Sequence, residues 1–262
     1  SRMLITSPHN PRIARVRALL EKRRQRAEEQ AFVVEGVRLV EEALASGWPA
    51  EQVLFSAQVS PRGREVVEQF ARRGAEVCEV TPEVMQALSD TGTPQGLLAV
   101  LPARTLPLPE TLDFALIVDT LRDPGNLGTL LRSAAAAGVQ AVLLSPGTTD
   151  AFAPKVLRAG MGAHFRLPVH ALPWEGIRRL CKARPAPLRI FLAEAGAGTA
   201  CWDLDLRQPL ALMVGGEAEG PSPEGQALAD EPVAIPMPGH SESLNAAIAA
   251  SILLFEIVRQ RR

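Results

Sequence analysis

The sequence predicts an α/β protein in which parallel strands alternate with helices. Two apolar runs, Phe114–Val118 and Leu212–Val214, have the length and composition of buried strands, and a glycine-containing bend follows each of them. Segments with helical spacing of apolar residues separate such runs along the chain. This alternation is typical of parallel sheets with crossover helices. The 262 residues are enough for one or two domains of ordinary size.

In the N-terminal part, a first helix is predicted over residues 11–30 because Ile13, Val16 and Leu19 recur at helical spacing. Thr81 and Pro82 have the residue types of an N-cap and a first helical position, so another helix is expected to begin there. The other elements predicted in this part are strands over 32–34, 53–56, 76–80 and 96–101 and helices over 37–46 and 61–73.

Residues 104–112 are predicted to be a linker because Pro107 and Pro109 favour an extended spacer. Residues 1–103 and 113–262 then form two domains. The elements predicted in the second domain are strands near 114–119, 140–145, 188–193, 210–214 and 233–236 and helices near 127–137, 152–159, 174–182, 223–229 and 244–260. The order predicts a doubly wound parallel sheet with helices on both faces.

Composition excludes several classes of protein. The net charge is −1, so the overall charge does not predict electrostatic attraction to nucleic acid, but residues 1–30 hold eight basic and three acidic side chains. That run predicts either a solvated helix face or a surface that contacts phosphates. The three cysteines lack metal-ligand spacing and fit a reducing compartment. No apolar run is long enough to span a bilayer, and we expect a soluble, cytoplasmic protein without a metal.

Three segments share one sequence pattern. In each, an apolar run leads into a bend with Gly or Pro and then to a polar residue near a helix start. They are residues 123–133, 215–221 and 235–245. Open parallel sheets bind ligands beyond the carboxyl ends of their strands. The three bends are therefore predicted to form one ligand site. Ser243 could alternatively be an ordinary N-cap of the last helix.

These segments resemble the motifs of the SpoU (TrmH) family of the SPOUT superfamily, which are S-adenosylmethionine-dependent RNA ribose 2′-O-methyltransferases. The pattern N-x-G-x-x-x-R matches Asn126, Gly128 and Arg132, and G-x-E-x-x-G matches Gly215, Glu217 and Gly220. The third pattern, I-P-M-x-G…S-L-N, matches Ile235, Pro236, Met237, Gly239, Ser243, Leu244 and Asn245. Upstream, residues 6–11 and 32–36 resemble the small substrate-binding domain, of ribosomal-protein L30e-like fold, that ribosomal-RNA members carry.

The resemblance implies a C-terminal trefoil knot, a homodimer and S-adenosylmethionine as cofactor. The cofactor-binding residues it implies are Gly215, Gly216, Glu217, Ile235, Met237, Gly239, Ser243, Leu244 and Asn245. The catalytic residues it implies are Arg132, Asn126, Glu217, Ser243 and Asn245. The residues predicted to contact RNA are Arg12, Arg15, Arg23, Arg24, Lys155 and Arg158, the last two because residues 152–158 resemble an RNA-contacting segment of the family.

Arg132 has three possible roles: a proton acceptor, as the family resemblance implies, a clamp for phosphate, or an ordinary surface arginine. A guanidinium keeps its proton at neutral pH, which makes the clamp physically easier. Glu217 could orient Arg132 through a bidentate ion pair. Asn126 is six residues before Arg132 and cannot share its helix face, so it is interpreted as a loop or cap residue.

The same residues argue against other functions. A nicotinamide dehydrogenase would need G-x-G-x-x-G after a strand, whereas the 123–128 bend has only G-x-x-G. A non-catalytic RNA-binding homologue would not need the motif residues that are present here. Ribosomal RNA is favoured over transfer RNA as the substrate because of the N-terminal domain.

Overall fold

The computed structural model describes residues 2–216 and 219–262. The chain forms two compact units, Ser1–Arg104 with Phe152–Phe165 and Thr105–Ala151 with Arg166–Arg262. The division at residues 104–112 stays a prediction. The segment Phe152–Phe165 packs within the first unit, so its predicted place in the second domain is wrong.

In chain order, the described elements are β1 (Leu4–Ile5), α1 (Pro11–Glu21), α2 (Arg23–Glu29), β2 (Ala31–Glu35), α3 (Val37–Ala45), β3 (Gln52–Phe55), α4 (Pro61–Arg72), β4 (Glu76–Val80), α5 (Pro82–Leu88), β5 (Leu97–Pro102), β6 (Phe114–Asp119), α6 (Pro124–Ala137), β7 (Ala141–Leu144), α7 (Pro154–Gly160), β8 (Val169–Ala171), α8 (Trp174–Lys182), β9 (Arg189–Ala193), β10 (Thr199–Ala200), β11 (Leu210–Gly215), α9 (Pro223–Leu228), β12 (Glu231–Ala234) and α10 (Ala246–Gln260). Short 3-10 helices lie at Ala163–Phe165 and Cys201–Asp203.

The first unit is built on a five-stranded sheet in the order β1-β4-β3-β5-β2, in which β5 runs antiparallel to both of its neighbours. Helix α7 packs on β2 within this unit. The ring of Phe152 lies 4.8 Å from that of Phe32, and Phe165 lies 5.4 Å from Trp48. These aromatic contacts explain why Phe152–Phe165 belongs to the first unit.

The predicted single helix over residues 11–30 is wrong, because two helices meet at an extended Lys22 with φ −119° and ψ 111°. Arg26 is buried at this break, and its guanidinium donates hydrogen bonds to the carbonyls of Leu19 at 2.8 Å and Leu20 at 3.3 Å. Carbonyls at a helix end lack partners within the helix. An inward-facing arginine therefore stabilises the break by satisfying them.

The second unit contains a seven-stranded sheet in the order β10-β12-β9-β11-β6-β7-β8, with every described pairing parallel. In β6 the consecutive residues Leu116, Ile117 and Val118 are all fully buried, so both faces of the sheet are covered. This confirms the predicted α/β class. The trefoil knot that the family resemblance implies stays a prediction.

Helices α6, α8 and α10 cover the sheet of the second unit. Helix α8 packs Ile177 and Cys181 against one face of the sheet. Helices α6 and α10 pack together, joined by a 2.7 Å hydrogen bond from the Ser251 hydroxyl to Ser133. Because α6 lies in the first bend and α10 follows the third, this packing brings the two bends to one place.

The three cysteines are free and buried. Burial raises the pKa of the Cys181 thiol to about 11, so it stays protonated at neutral pH. Over residues 2–216 and 219–262, no helix is both long and apolar enough to cross a membrane.

A candidate cofactor site at the carboxyl edge of the parallel sheet

A cavity of about 560 Å³ opens at the carboxyl edge of the seven-stranded sheet, a volume within the usual range for small-molecule sites. Residues at or just beyond the ends of β9, β11 and β12 line it, together with the start of α10. The described lining residues are Asn126, Ala193, Glu194, Ala195, Val214, Gly215, Gly216, Gly220, Pro221, Val233, Ile235, Met237, Ser243, Leu244, Asn245, Ala246, Ala249 and Leu253. All three predicted bends therefore contribute to one cavity.

Asn245 joins the first bend to the third. Its side-chain oxygen accepts hydrogen bonds from the backbone N–H groups of Ala247 at 2.9 Å and Ile248 at 3.1 Å, so Asn245 is the N-cap of α10. Its amide nitrogen donates to Oδ1 of Asn126 at 3.0 Å. The alternative that Ser243 caps this helix is wrong. Ser243 instead lies in the preceding turn and lines the cavity.

Asn126 lies in the first turn of α6, so its interpretation as a loop or cap residue is wrong. Asp123 is the N-cap, and its carboxylate accepts from the Asn126 backbone N–H at 2.8 Å. Pro124 occupies the first turn, where a missing N–H costs nothing. The helix start thereby directs Asn126 toward Asn245.

Two adjacent glycines form the middle bend. A Cβ atom on Gly216 would lie 2.6 Å from the carbonyl oxygen of Thr120, which real Cβ atoms do not tolerate, and one on Gly215 would lie 3.1 Å from Pro221. Thr120 itself has φ 56°, an uncommon backbone conformation for a non-glycine residue. Gly216 is therefore required in this chain by the close approach of the backbone after β6.

Asp119, the last residue of β6, holds the far side of this bend. It is fully buried, and its carboxylate accepts from Ser222 through the backbone N–H at 2.8 Å and the hydroxyl at 3.0 Å. The Thr120 hydroxyl donates to its other oxygen at 2.8 Å. Ser222 in turn caps α9. Because Ser222 directly follows Gly220 and Pro221, which line the cavity, Asp119 holds this part of the cavity wall in place.

Most of the predicted cofactor-binding residues line the cavity: Gly215, Gly216, Ile235, Met237, Ser243, Leu244 and Asn245. Gly239 is absent from the lining. Glu217, predicted for both cofactor binding and catalysis, lies outside the described residues, as does its expected pair with Arg132.

Arg132 does not line the cavity. It is exposed on α6, and it makes no hydrogen bond or ion pair with any residue in the described part of the chain. Its guanidinium is therefore available to a ligand that approaches from solvent.

Sequence reasoning missed Asp119 and Glu194. Glu194 directly follows β9 and lines the cavity. Its position beyond the carboxyl end of a parallel strand was a usable signal. Asp119 could not be found in this way, because its role depends on a contact with Ser222, which is far away in sequence.

The predicted RNA-contacting residues all lie in the first unit. Arg12 pairs with Glu76 at 2.5 Å, and Arg15 pairs with Glu29 at 2.7 Å. Hydrogen bonds from these two arginines are the main reason that the pKa values of Glu76 and Glu29 are lowered. Those carboxylates stay charged and neutralise the arginines beside them.

The remaining candidate cations differ in their pairing. Arg24 pairs with Glu28 at 2.8 Å, and Arg158 pairs with Asp90 at 2.8 Å. Lys155, in the first turn of α7, is exposed and forms no ion pair within residues 2–216 and 219–262.

The fold and the cavity define a class: an α/β domain that binds a nucleoside-type cofactor in a crevice at the carboxyl ends of its parallel strands, with glycines where the backbone must come close. The cavity fits such a ligand, being mostly apolar with a few polar groups at its rim. Among the residues that the structure describes, no group of three or more His, Cys, Asp or Glu side chains could hold a metal ion.

Comparison with known proteins identifies the family. Residues 113–255 match the model of the SpoU rRNA methylase family, and residues 10–99 match that of the MRM3-like substrate binding domain. The chain belongs to the SpoU rRNA methylase family. The predicted activity is confirmed at this level: the protein is an S-adenosylmethionine-dependent RNA ribose 2′-O-methyltransferase.

Three relatives show how far the similarity extends. The mitochondrial rRNA methyltransferase 3 of Homo sapiens is 33% identical, over 97% of this chain and 74% of the relative. A 23S rRNA uridine 2′-O-methyltransferase of Streptomyces viridochromogenes is 33% identical, over 98% of this chain and 92% of its own length. The crystal structure of an AdoMet-bound rRNA methyltransferase from Sinorhizobium meliloti superimposes with a TM-score of 0.86 and 32% identity, covering 98% of this chain and 97% of that one.

Proposed function

We propose that this enzyme methylates a ribose of ribosomal RNA, with Asn126, Asn245 and Ser243 at the reaction site and Arg132 holding the RNA. The observation that carries the proposal is the hydrogen bond between Asn245 and Asn126, which joins two motif segments at the rim of one cavity. Ribosomal RNA is supported as substrate by the match of residues 10–99 to a substrate-binding domain and by the names of the relatives.

The reaction needs a nucleophilic oxygen in line with an electrophilic carbon at contact distance. When bound, S-adenosylmethionine supplies a methyl group on a positively charged sulfur. Asn245 is held from both sides, by α10 and by Asn126, and so offers a rigid rim against which a ribose can be placed. Preorganised polar groups of this kind reduce the reorganisation needed during the reaction.

Arg132 is proposed to clamp a phosphate next to the target ribose. It lies six residues after Asn126 on the same helix, about 9 Å further along the axis. Its planar fork suits phosphate oxygens, and a fixed positive charge stabilises the alkoxide that develops on the ribose as the hydroxyl proton passes to water. A guanidinium remains protonated at neutral pH, so we favour the clamp over a proton-accepting role.

The first unit is proposed to grip the RNA, with Lys155 as its strongest phosphate contact. Arg12, Arg15 and Arg24 already pair with carboxylates, whereas Lys155 has no such partner among the described residues. A lysine without an ion pair does not have to break one when it binds a phosphate, so less free energy of binding is lost.

Lys155→Ala is expected to weaken RNA binding several-fold and to lower the slope of log affinity against log salt by about 1, because one phosphate contact is lost. Filter binding of a ribosomal RNA fragment at several salt concentrations measures both quantities. Lys155→Arg keeps the charge and should retain the wild-type slope. An unchanged slope in Lys155→Ala would show that Lys155 does not contact an RNA phosphate.

We further propose that the protein is a homodimer that associates through α10. Leu244, Ile248, Ile252 and Phe255 are each more than one-third exposed, and they recur at helical spacing along one face. Exposed apolar patches of this kind mark interaction surfaces. A second copy fits because the face begins at Leu244, which also lines the cofactor cavity, so a symmetric partner would cover the site's rim.

Ile252→Glu is expected to convert the dimer to a monomer, because it buries an unpaired charge in an apolar interface. Light scattering after size-exclusion chromatography reports the mass directly. Gln86→Glu adds the same charge at an exposed site on α5 in the first unit and should leave the dimer intact. A wild-type monomer at micromolar concentration would contradict the proposal, as would an Ile252→Glu dimer as stable as wild type.

A cytoplasmic location is proposed on the basis of the three free, buried thiols, because intracellular compartments keep cysteines reduced. Immunofluorescence or cell fractionation tests it.

The substrate is tested by mass mapping of ribose methylation in cells that lack the protein. The loss of one 2′-O-methyl group from ribosomal RNA, restored by the wild-type gene, is the expected result. Loss of a methyl group from transfer RNA alone would keep the enzyme class and overturn the ribosomal assignment. Intact methylation of both RNAs, with no transfer by the purified protein, would favour a non-catalytic RNA-binding homologue.

A further inference from the structure

Glu194 is a carboxylate in the cofactor cavity with no assigned role. It directly follows β9, and its backbone N–H donates to the carbonyl of Val233 at 3.1 Å. This bond fixes the backbone at Glu194. Among the described residues that line the cavity, Glu194 is the only one with an ionisable side chain. It forms no hydrogen bond through its side chain and no ion pair within residues 2–216 and 219–262. Its carboxylate is therefore available to hydrogen-bond donors of a ligand in the cavity.

We propose that Glu194 binds the two ribose hydroxyls of the cofactor's adenosine, an inference that rests on the S-adenosylmethionine dependence established by the family. A carboxylate accepts hydrogen bonds through two oxygens, and neighbouring hydroxyls offer two donors at matching spacing. Acidic residues at the end of a parallel strand recognise ribose hydroxyls in the same way in dinucleotide-binding sheets.

The strand order places Glu194 away from the reacting end of the ligand. Strand β11 separates β9 from β6, so the ends of β9 and β6 are about 10 Å apart. Asn126 and Arg132, on the helix that follows β6, mark the side from which the RNA approaches. The sulfur that carries the methyl group must face that side. Either the adenosine or the amino-acid group then extends toward Glu194, and the adenosine ribose is the part that offers a pair of neighbouring hydroxyl donors.

The chemistry of the reaction also opposes a contact between Glu194 and the sulfur. The positive charge on sulfur is present in the ground state and is dispersed as the methyl group leaves. A carboxylate beside the sulfur would therefore stabilise the ground state more than the transition state and slow the reaction. Binding at the ribose has no such cost, because the ribose hydroxyls do not change during transfer.

Calorimetry with three ligands tests the proposal: S-adenosylmethionine, S-adenosylhomocysteine and 5′-methylthioadenosine. The second lacks the positive sulfur, and the third lacks both that charge and the amino-acid group, but all three carry the ribose hydroxyls. Glu194→Gln is expected to weaken all three by the same factor of about 10 or more, because each loses a hydrogen bond to a charged acceptor. The three affinities are binding measurements, so this result does not depend on methyl-transfer activity.

Other patterns of loss would overturn the proposal. Weaker binding of S-adenosylmethionine alone would place Glu194 at the sulfur. Weaker binding of the first two ligands with unchanged 5′-methylthioadenosine would place it at the amino-acid group. Unchanged binding of all three would show that Glu194 does not contribute to cofactor binding. S-adenosylmethionine that fails to bind the wild-type protein would instead contradict the assigned activity itself.

Glu110→Gln is the matched control, since Glu110 is an exposed acid of the same unit that does not line the cavity. It makes the same chemical change and should leave all three affinities at wild-type values. An equal loss in Glu110→Gln would show a general effect of charge and contradict a specific contact. Thermal unfolding of the ligand-free Glu194→Gln protein should match wild type.

Discussion

Arg132→Ala is expected to lower the rate of methyl transfer by about 100- to 1000-fold while S-adenosylmethionine binds within a few-fold of its wild-type affinity. The rate falls because a fixed positive charge that stabilises the developing alkoxide contributes factors of this size. Cofactor affinity is retained because Arg132 is absent from the cavity lining. Single-turnover transfer to a ribosomal RNA fragment measures the rate, and calorimetry measures the affinity.

Removal of Arg132 should not unfold the protein. The side chain is exposed and makes no hydrogen bond or ion pair within the described part of the chain, so truncation leaves no buried group unsatisfied. Arg132→Lys keeps the charge but loses the planar fork, and an intermediate rate is expected. Near wild-type transfer by Arg132→Ala would show that Arg132 is an ordinary surface residue. Loss of cofactor binding would assign it to the cavity instead.

Asp119→Asn is expected to weaken S-adenosylmethionine binding more than 10-fold. The carboxylate accepts three hydrogen bonds while fully buried, two of them from Ser222. An amide has one acceptor oxygen and no charge, so both bonds from Ser222 become bonds to a neutral acceptor and the Thr120 hydroxyl must turn to accept from the NH₂ group. Hydrogen bonds to charged groups stabilise by about 1.5 to 3 kcal/mol and neutral ones by about 1 kcal/mol, so the substitution weakens both bonds from Ser222. Because Ser222 ends the bend that forms the cavity wall, this cost falls on the cofactor site.

Thr120→Val is the graded control for Asp119. It removes a single hydroxyl donor and leaves both bonds from Ser222 in place. Its effect on cofactor affinity should be smaller than that of Asp119→Asn. Urea unfolding of both variants without ligand separates loss of the site from loss of the fold. Wild-type affinity in a folded Asp119→Asn protein would show that the wall does not depend on this carboxylate.

The fold class and the three bends could be predicted because their signals are local. Apolar runs predicted β6 and β11, and Gly215–Gly216 lies at the strand end where a close backbone approach needs glycine. Convergence at the carboxyl edge follows from parallel strands alone. In the structure, Asn126, Gly215 and Asn245 line the same cavity.

Features that depend on distant contacts could not be predicted. The break at Lys22 depends on Arg26 turning inward to the end of α1. The cap of α10 is Asn245 and not Ser243, because the segment after β12 extends two residues beyond Ser243 before the helix begins. Phe152–Phe165 packs in the first unit through aromatic contacts that no local pattern encodes.

The most direct test of the three-bend site is a crystal structure of the protein with S-adenosylhomocysteine. The ligand is expected in the cavity at the carboxyl edge of the seven-stranded sheet, in contact with the bends at Gly215–Gly216 and Ile235–Asn245 and with Asn126 at its rim. Electron density for the ligand at any other place, with this cavity left to solvent, would contradict the account.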